Sequence, residues 1–148
     1  LFQEVSFTVH GGEIVGLAGL VGAGRSEVAR AIYGLEPPES GSLRVNGEEY
    51  LPRHPADARA AGIAYVPEER KRQGLVLEHS ISSNISIGFL STISGGGWIF
   101  RRAEKKRVSD AIERFGVKVR GEPLRPIGTL SGGNQQKALL ARWLESDP

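Results

Sequence analysis

Cysteine and methionine are both absent from the 148-residue sequence. Without cysteine there is no disulfide framework, no thiolate metal site and no thiol nucleophile. Long apolar stretches are missing too, because no run approaches the roughly 18 apolar residues that a membrane-spanning helix requires. The sequence also has little excess of charge of either sign. The 19 basic side chains against 17 acidic ones leave a net charge of +2, which is too small to indicate nucleic-acid binding by itself.

The composition nevertheless supports a packed core. Hydrophobic residues make up 39% of the sequence and glycine contributes 20 positions, which together is typical of a globular domain. The length fits a single domain. Because the sequence lacks methionine and opens inside an alternating apolar pattern, we interpret it as a piece of a longer protein.

The first half of the sequence predicts strands alternating with short helices. Apolar residues alternate over residues 4–9 and form a run over 14–18, which predicts two strands joined by a tight turn at 10–12. The pair Asn46-Gly47 predicts a small hairpin. The other predicted elements are a helix over 26–33 ended by Gly34, a helix over 55–61 ended by Gly62, and a buried strand over 63–66. Together the strands predict a mixed sheet.

The second half is predominantly helical in pattern. A charged helix is predicted over 101–115, with Val108, Ile112 and Phe115 on its apolar face. Another helix is predicted over 133–145, after a proline-containing loop at 121–129. We therefore expect an α/β fold with a mixed β-sheet core in a subdomain over residues 1–75 and a helical subdomain over 76–148.

A glycine-rich segment lies between the predicted strand at 14–18 and the following helix. Residues 19–26 match the phosphate-loop pattern G-x-x-x-x-G-K-[ST] except that arginine stands in place of lysine. The candidate phosphate-binding residues are Gly19, Gly22, Ala23, Gly24, Arg25 and Ser26. Glycines let backbone amides converge on phosphate oxygens, and the Ser26 hydroxyl can complete a magnesium shell. Arginine keeps the charge but is not equivalent to lysine, so binding is expected to tolerate the change better than hydrolysis. The alternative is a glycine-rich turn without a ligand.

A second motif opens the last predicted helix. Residues 130–137 read Leu-Ser-Gly-Gly-Asn-Gln-Gln-Lys, in which Ser131 is expected to cap the helix and Gly132 and Gly133 allow close approach of an anion. The segment resembles the signature sequence L-S-G-G-x-Q of ATP-binding cassette (ABC) ATPases, to which Leu130 and Gln135 also belong. The alternative is an ordinary serine-capped surface helix.

With both motifs present, nearly the whole sequence resembles an ABC cassette with a P-loop NTPase-like fold. The similarity is specific to the second, C-terminal cassette of the tandem ATPase subunits of bacterial monosaccharide importers of the ribose and galactose type. It rests on residues 19–27, 68–76 and 130–137. In such subunits the second cassette has an altered phosphate loop and an intact signature, whereas the first has the reverse.

The resemblance implies ATP and Mg²⁺ as ligands and several partners. The first cassette of the same subunit would pack head to tail with this one, so that Ser131, Gly132 and Gly133 contact the γ-phosphate of its ATP. Residues 22–26 would hold the second nucleotide. Further implied partners are membrane permease subunits and, indirectly, a periplasmic sugar-binding protein, with no role for nucleic acid. The implied location is peripheral, at the cytoplasmic face of the bacterial inner membrane.

One residue and one short segment near the middle of the sequence correspond to regions of the family that contact the permease. The glutamine that senses magnesium and the permease aligns with Glu68, which cannot donate an amide hydrogen bond. The charge run at 68–72 reads equally well as a solvated surface segment. Leu75, Val76 and Leu77 are expected to contribute to the surface on which the permease docks.

No catalytic residue is expected within this sequence. The family places a magnesium-binding aspartate and a catalytic glutamate at the end of an apolar strand (Walker B) after the signature helix, followed by a switch histidine. The three aspartates, Asp57, Asp110 and Asp147, do not follow four apolar residues. We expect the sequence to stop before the Walker B strand and to lack turnover by itself, while the intact protein hydrolyses ATP to import a sugar.

Two other functions remain open at this stage. One is a soluble ABC ATPase acting on nucleic acid or in translation, contacted through the basic cluster at 101–107. The other is a non-hydrolysing regulatory half-cassette. We interpret the basic cluster as a solvated helix face rather than a nucleic-acid or lipid contact, and Trp98 and Trp143 as packing residues rather than interface anchors. His10, His54 and His79 are expected to be plain surface residues.

Overall fold

A computed structural model describes residues 3–119, 121 and 123–146. Its secondary structure is α/β, and contacts divide the chain into two compact units, Leu1–Ile63 and Ala64–Pro148. The division into a nucleotide-binding subdomain over residues 1–75 and a helical subdomain over 76–148 stays a prediction. Asp147 and Glu122 lie outside the described residues.

The first unit contains two helices and one hairpin. Its elements are α1 (Arg25–Ile32), β1 (Leu43–Val45), β2 (Glu48–Tyr50) and α2 (Pro55–Ala60). The predicted hairpin is confirmed: β1 and β2 are antiparallel, and Asn46 and Gly47 both have positive φ angles, 53° and 83°, as a type I′ turn requires. The predicted glycine caps are confirmed as well, since Gly34 and Gly62 have φ angles of 74° and 77°.

Three predicted strands are absent from the described residues. Residues 4–9, 14–18 and 63–66 form no ladder, although the predicted turn between the first two is present, with the Glu13 amide donating to the His10 carbonyl at 3.0 Å. A strand needs a hydrogen-bonded neighbour, and none of the described segments pairs with these. Their apolar side chains remain accessible, with Ile14 97% exposed.

The second unit is built from helices. Its main elements are α3 (Ile81–Ser86), α4 (Arg101–Arg114) and α5 (Gly132–Leu144), with β3 (Ser94–Gly95) and β4 (Trp98–Ile99) forming a small antiparallel hairpin. Shorter turns are a π-helical turn at Arg70–Gly74 and 3₁₀ turns at Ile87–Thr92 and Ile127–Thr129. Helices α4 and α5 confirm the predicted helices to within one residue at each end.

One hydrophobic core holds the second unit together. It joins side chains of α3, α4, α5 and the 3₁₀ turn at Ile87–Thr92, among them Ile85, Phe89, Val108 and Leu139, each at most 2% exposed. The predicted apolar face of α4 is confirmed, because Val108 lies in this core and Ile112 and Phe115 pack against it. No helix in the described part of the chain has the length and apolar character to cross a bilayer.

His54 is exposed, as expected, and it has an additional local role. Its Nδ1 accepts a hydrogen bond from the Ala56 amide at 3.1 Å, and it caps α2 together with Asp57. Two other expectations about single residues are wrong. Leu75 is 7% exposed and belongs to the core, so it is not available to a docking partner. Trp98 is 77% exposed rather than packed, whereas Trp143 packs against the core as expected.

Candidate functional site

The phosphate loop, residues 19–26, folds tightly back on itself. Gly22 and Gly24 have φ angles of 84° and 81°, a left-handed conformation that glycine adopts without strain. The Ala23 amide donates to the Leu20 carbonyl at 3.1 Å. A Cβ placed on Gly19 would lie 2.8 Å from the Ala23 Cβ, so this fold of the loop requires glycine at position 19.

The loop leads directly into α1, whose first amides are available to a ligand. The first backbone bond of the helix is donated by Val28 to the Gly24 carbonyl. None of the described groups accepts a hydrogen bond from the amides of Arg25, Ser26 or Glu27. These donors point out of the N-terminal end of the helix, where the helix dipole favours an anion. The loop therefore fits a phosphate group.

The side chains of Arg25 and Ser26 are both exposed at this end of the helix. The Arg25 side chain lies near the loop, since a Cβ on Gly19 would be 3.8 Å from its Cδ. It forms no ion pair with any described acid, which leaves its guanidinium able to pair with phosphate oxygens.

Magnesium would find a single protein ligand here. The described residues contain no cluster of three His, Cys, Asp or Glu side chains that would hold a metal. Ser26 offers one hydroxyl. Mg²⁺ keeps several waters and commonly takes its other ligands from substrate phosphates, so Ser26 fits the metal only together with a bound nucleotide.

The signature segment, residues 130–137, begins in the core of the second unit and ends in α5. Leu130 is 8% exposed and anchors the segment. Ser131 occupies the N-cap position, but its hydroxyl makes no capping bond to a backbone amide. Instead it accepts a hydrogen bond from Asn134 Nδ2 at 3.0 Å. The expectation that Ser131 caps the helix through its side chain is therefore wrong, and the first amides of α5 stay available.

Gln135 holds the segment in place from inside. It is 4% exposed, and its Nε2 donates to the Leu130 carbonyl at 3.0 Å. Its Oε1 lies 3.5 Å from Arg70 Nε. Gln135 is thus a positioning residue that links the start of the signature segment to the π-helical turn at Arg70–Gly74.

The sequence did not predict that Arg70 lies beside the signature segment. A Cβ on Gly132 would lie 2.7 Å from Arg70 Nη2, so the guanidinium sits against the N-terminus of α5. There it adds a positive charge to the helix dipole. In the sequence Arg70 is marked only by its place in the charge run at 68–72. Gln135, which it contacts, is 65 residues further along the chain.

The remaining predicted positions are accessible. Gly133 has open space around it, with no atom within 4 Å of an added Cβ. Glu68 is exposed, and its carbonyl accepts from the Arg70 amide at 3.0 Å. The solvated interpretation of the charge run holds for Glu69 and Arg72, which pair at 3.2 Å on the surface.

Comparisons with known proteins identify the family of the chain. A family model described as ABC transporter matches residues 2–148. The chain is 43% identical over 148 residues to the ribose import ATP-binding protein of Bacillus licheniformis, covering 100% of this chain and 30% of that protein. It is 48% identical over 147 residues to the xylose import ATP-binding protein of Burkholderia ambifaria, covering 99% and 28%. The chain thus spans less than a third of these curated relatives.

Proposed function

The chain belongs to the ABC transporter family of ATPases, and from that premise we propose that it is part of the energising subunit of a sugar importer. One observation carries the proposal. The phosphate loop, with Gly22 and Gly24 in the left-handed conformation, leads into α1, where the amides of Arg25, Ser26 and Glu27 have no acceptor among the described residues. Amides at the start of a helix that follows a glycine-rich loop bind nucleotide phosphates. ATP with Mg²⁺ is the proposed ligand.

Each unit contributes one phosphate-binding end. In the first unit the backbone amides and Arg25 bind the phosphates, and the Ser26 hydroxyl joins the magnesium shell. In the second unit the open N-terminus of α5, with Ser131, Gly132, Gly133 and the Arg70 charge, contacts the nucleotide of a partner cassette. The proposed partner is the first cassette of the same subunit. The arginine at position 25, in place of the lysine of the phosphate-loop pattern, together with the intact signature segment supports the second cassette as the place of this chain.

The proposed transported substrate is a monosaccharide. The proposal is supported by the identity, over 40% along the whole chain, to proteins named for ribose and xylose import. On this basis the full protein works with membrane permease subunits and, through them, with a periplasmic sugar-binding protein. It would lie at the cytoplasmic face of the inner membrane as a peripheral subunit.

Calorimetric titration of the chain with ATP and ADP, with and without Mg²⁺, tests nucleotide binding. Arg25→Ala should weaken binding by roughly 10- to 150-fold, because a charge-assisted hydrogen bond contributes roughly 1.5–3 kcal/mol. Ser26→Ala should remove the increment due to Mg²⁺ and leave magnesium-free binding unchanged. Arg44→Ala, an exposed arginine of the same unit, is the matched control and should have no effect. Absence of binding by the unaltered chain would contradict the proposal.

Hydrolysis is expected only in the intact transporter. None of the three aspartates in the sequence follows four apolar residues, as the magnesium-binding aspartate of the family does. The chain alone should therefore release no phosphate beyond the level of a control carrying Arg25→Ala and Ser131→Ala. Catalytic release above that level would refute the expectation. In the source cell, deletion of the gene should abolish uptake of labelled ribose or xylose and leave amino-acid uptake unchanged.

A further inference from the structure

The β3–β4 hairpin presents apolar side chains to solvent. Trp98 is 77% exposed, Phe100 56% and Ile99 38%. The hairpin is held by two facing residue pairs, and Phe100 lies across it, with its Cζ 3.3 Å from a Cβ placed on Gly95. An exposed tryptophan beside another aromatic ring and an isoleucine marks a contact surface rather than a surface in plain contact with water.

Basic side chains follow the hairpin directly on α4. Arg102, Lys105 and Lys106 are exposed, and none of them pairs with an acid among the described residues. Arg101 differs, because its Nη1 donates a hydrogen bond to the Glu104 carboxylate at 3.1 Å. The same carboxylate accepts a hydrogen bond from the Ser86 hydroxyl at 2.9 Å. The spacing i, i+3, i+4 places the three unpaired cations on one side of the helix.

Lys105, one of these three cations, lines an open cavity of about 490 Å³. The lining also has the hydroxyls of Ser82 and Ser109 and the apolar Leu124, which is 70% exposed. The Glu104 carboxylate in the lining is largely buried and paired with Arg101. Hydroxyl donors next to an unpaired ammonium suit a phosphodiester oxygen, and the apolar side chains suit the carbon atoms attached to it.

We propose that this surface, formed by the β3–β4 hairpin and the exposed side of α4 over residues 101–106, binds the anionic phospholipid surface of a membrane. Tryptophan partitions to the interface between headgroups and acyl chains, and Lys and Arg next to it are attracted to anionic headgroups. A single-stranded nucleic acid, whose bases stack on aromatic rings, would account for the cations and for Trp98. It would not account for the exposed aliphatic side chain of Ile99. The inference does not depend on nucleotide binding, so the two can fail separately.

Vesicle sedimentation tests the proposal with the 148-residue chain. The probe is vesicles of phosphatidylglycerol and phosphatidylcholine, compared with phosphatidylcholine alone. We expect binding to the anionic vesicles, falling as salt rises. The triple variant Arg102→Gln, Lys105→Gln, Lys106→Gln should weaken binding roughly 100-fold, at about fivefold per charge. Arg44→Gln with Arg53→Gln removes exposed charge elsewhere and should leave it within about twofold.

Fluorescence locates the contact. In a Trp143→Phe background Trp98 is the single tryptophan, and its emission should shift to the blue and become accessible to quenchers in the acyl chains when anionic vesicles are added. Trp98→Ala should weaken sedimentation about tenfold, whereas Leu51→Ala, which removes another exposed apolar side chain, should not.

Three results would overturn the proposal. They are no binding to anionic vesicles, equal binding by the triple variant, and an unchanged Trp98 spectrum with vesicles present. Retention of the chain on single-stranded or duplex DNA without vesicle binding would assign the basic side chains to nucleic acid instead. Circular dichroism of each variant verifies that loss of binding does not arise from unfolding.

Discussion

Single residues set how closely the helical elements of the second unit approach each other. Gly88 lies directly against the carbonyl group of Arg142 in α5, where an added Cβ would overlap with the carbonyl oxygen. A backbone atom cannot move aside as the end of a flexible side chain can. The residue at position 88 therefore determines whether the 3₁₀ turn at Ile87–Thr92 packs on α5.

Gly88→Ala is expected to destabilise the second unit by several kcal/mol, since overpacking against a backbone forces helices apart. The measurement is urea denaturation followed by Trp143 fluorescence in a Trp98→Phe background. Gly133→Ala serves as the control because no atom lies within 4 Å of its added Cβ. It should leave stability unchanged or raise it by up to about 1 kcal/mol. Equal stability of the Gly88 variant would show that α5 can shift freely.

Tyr50 gives the first unit a dependence on high pH. Its hydroxyl donates to the Ile32 carbonyl at 2.9 Å, and burial, with a further contribution from Asp57, raises the pKa of Tyr50 above its ordinary 10.0. The folded state thus favours the protonated form. This contribution to stability is complete below pH 10 and is lost as the pH rises through the folded-state pKa.

Tyr50→Phe should therefore lower the free energy of unfolding by about 1 kcal/mol at pH 7, through the lost hydrogen bond. It should also flatten the decline in stability above pH 10. Denaturation followed by circular dichroism between pH 7 and 11 measures both effects. Tyr65→Phe, in the other unit, provides the comparison. A decline that is equally steep in Tyr50→Phe would mean that another group governs the alkaline limit.

At the scale of elements, Arg142 ties α5 to α3 and to the π-helical turn. Its guanidinium donates to the Asn84 carbonyl at 2.6 Å, to the Asn84 side chain at 2.8 Å and to the Gly74 carbonyl at 2.5 Å. No described carboxylate faces it, and burial lowers the pKa of Arg142. Asn84 in turn bonds both the amide and the carbonyl of Val76. One side chain of the signature helix thus fixes the segment that follows residue 70.

Arg142→Ala is expected to cost roughly 2–4 kcal/mol of unfolding free energy, because the carbonyls of Gly74 and Asn84 lose a charged donor and the Asn84 side-chain oxygen keeps only the Val76 amide. Arg142→Lys should recover less than half of this, since one ammonium cannot reach Gly74 and Asn84 together. Arg114→Ala is the control. That arginine is 70% exposed and pairs with Glu145, so its loss should cost less than about 1 kcal/mol. Similar losses in the two alanine variants would contradict the bridging role.

Elements with their own local signals were predictable from sequence. Asn46-Gly47 sets its own turn geometry, and the glycines after α1 and α2 stop those helices wherever the rest of the chain lies. The strands at 4–9 and 14–18 carried the right pattern but require a partner strand, which pattern alone does not supply. Helix α3 was missed because its Ser- and Ile-rich sequence has low helix propensity, and contacts with α4 and α5 hold it in place.

The candidate site divides in the same way. The phosphate loop and the signature segment were found because each is contiguous in sequence. Arg70 was missed because its role depends on Gly132 and Gln135, which only the fold brings near. The absence of a side-chain capping bond at Ser131 has the same origin. The Ser131 hydroxyl accepts a hydrogen bond from Asn134 Nδ2, and Asn134 Oδ1 accepts one from the amide of Lys118, which is distant in sequence.

At the scale of the whole molecule, apolar burial is distributed unevenly between the two units. The buried core cluster lies entirely within residues 75–141. The first unit buries a smaller set, including Val28, Ala31 and Tyr50, and leaves Ile14, Leu20 and Val21 at least 86% exposed. Since hydrophobic burial provides most of the favourable free energy of folding, the two units should differ in stability.

Native-state hydrogen exchange measures this difference directly. Amides of α3, α4 and α5 should exchange slowly and together, whereas those of α1 and the β1–β2 hairpin should exchange faster through local opening. Both tryptophans belong to the second unit, so their fluorescence should hold steady at urea concentrations where the first unit has already lost protection. Nucleotide that binds the phosphate loop would slow exchange in α1 in proportion to its concentration above Kd, and it would leave α4 unchanged. Equal protection in both units without nucleotide would mean that the exposed apolar residues of the first unit are covered in solution, and a protein concentration series would then show whether a second copy of the chain covers them.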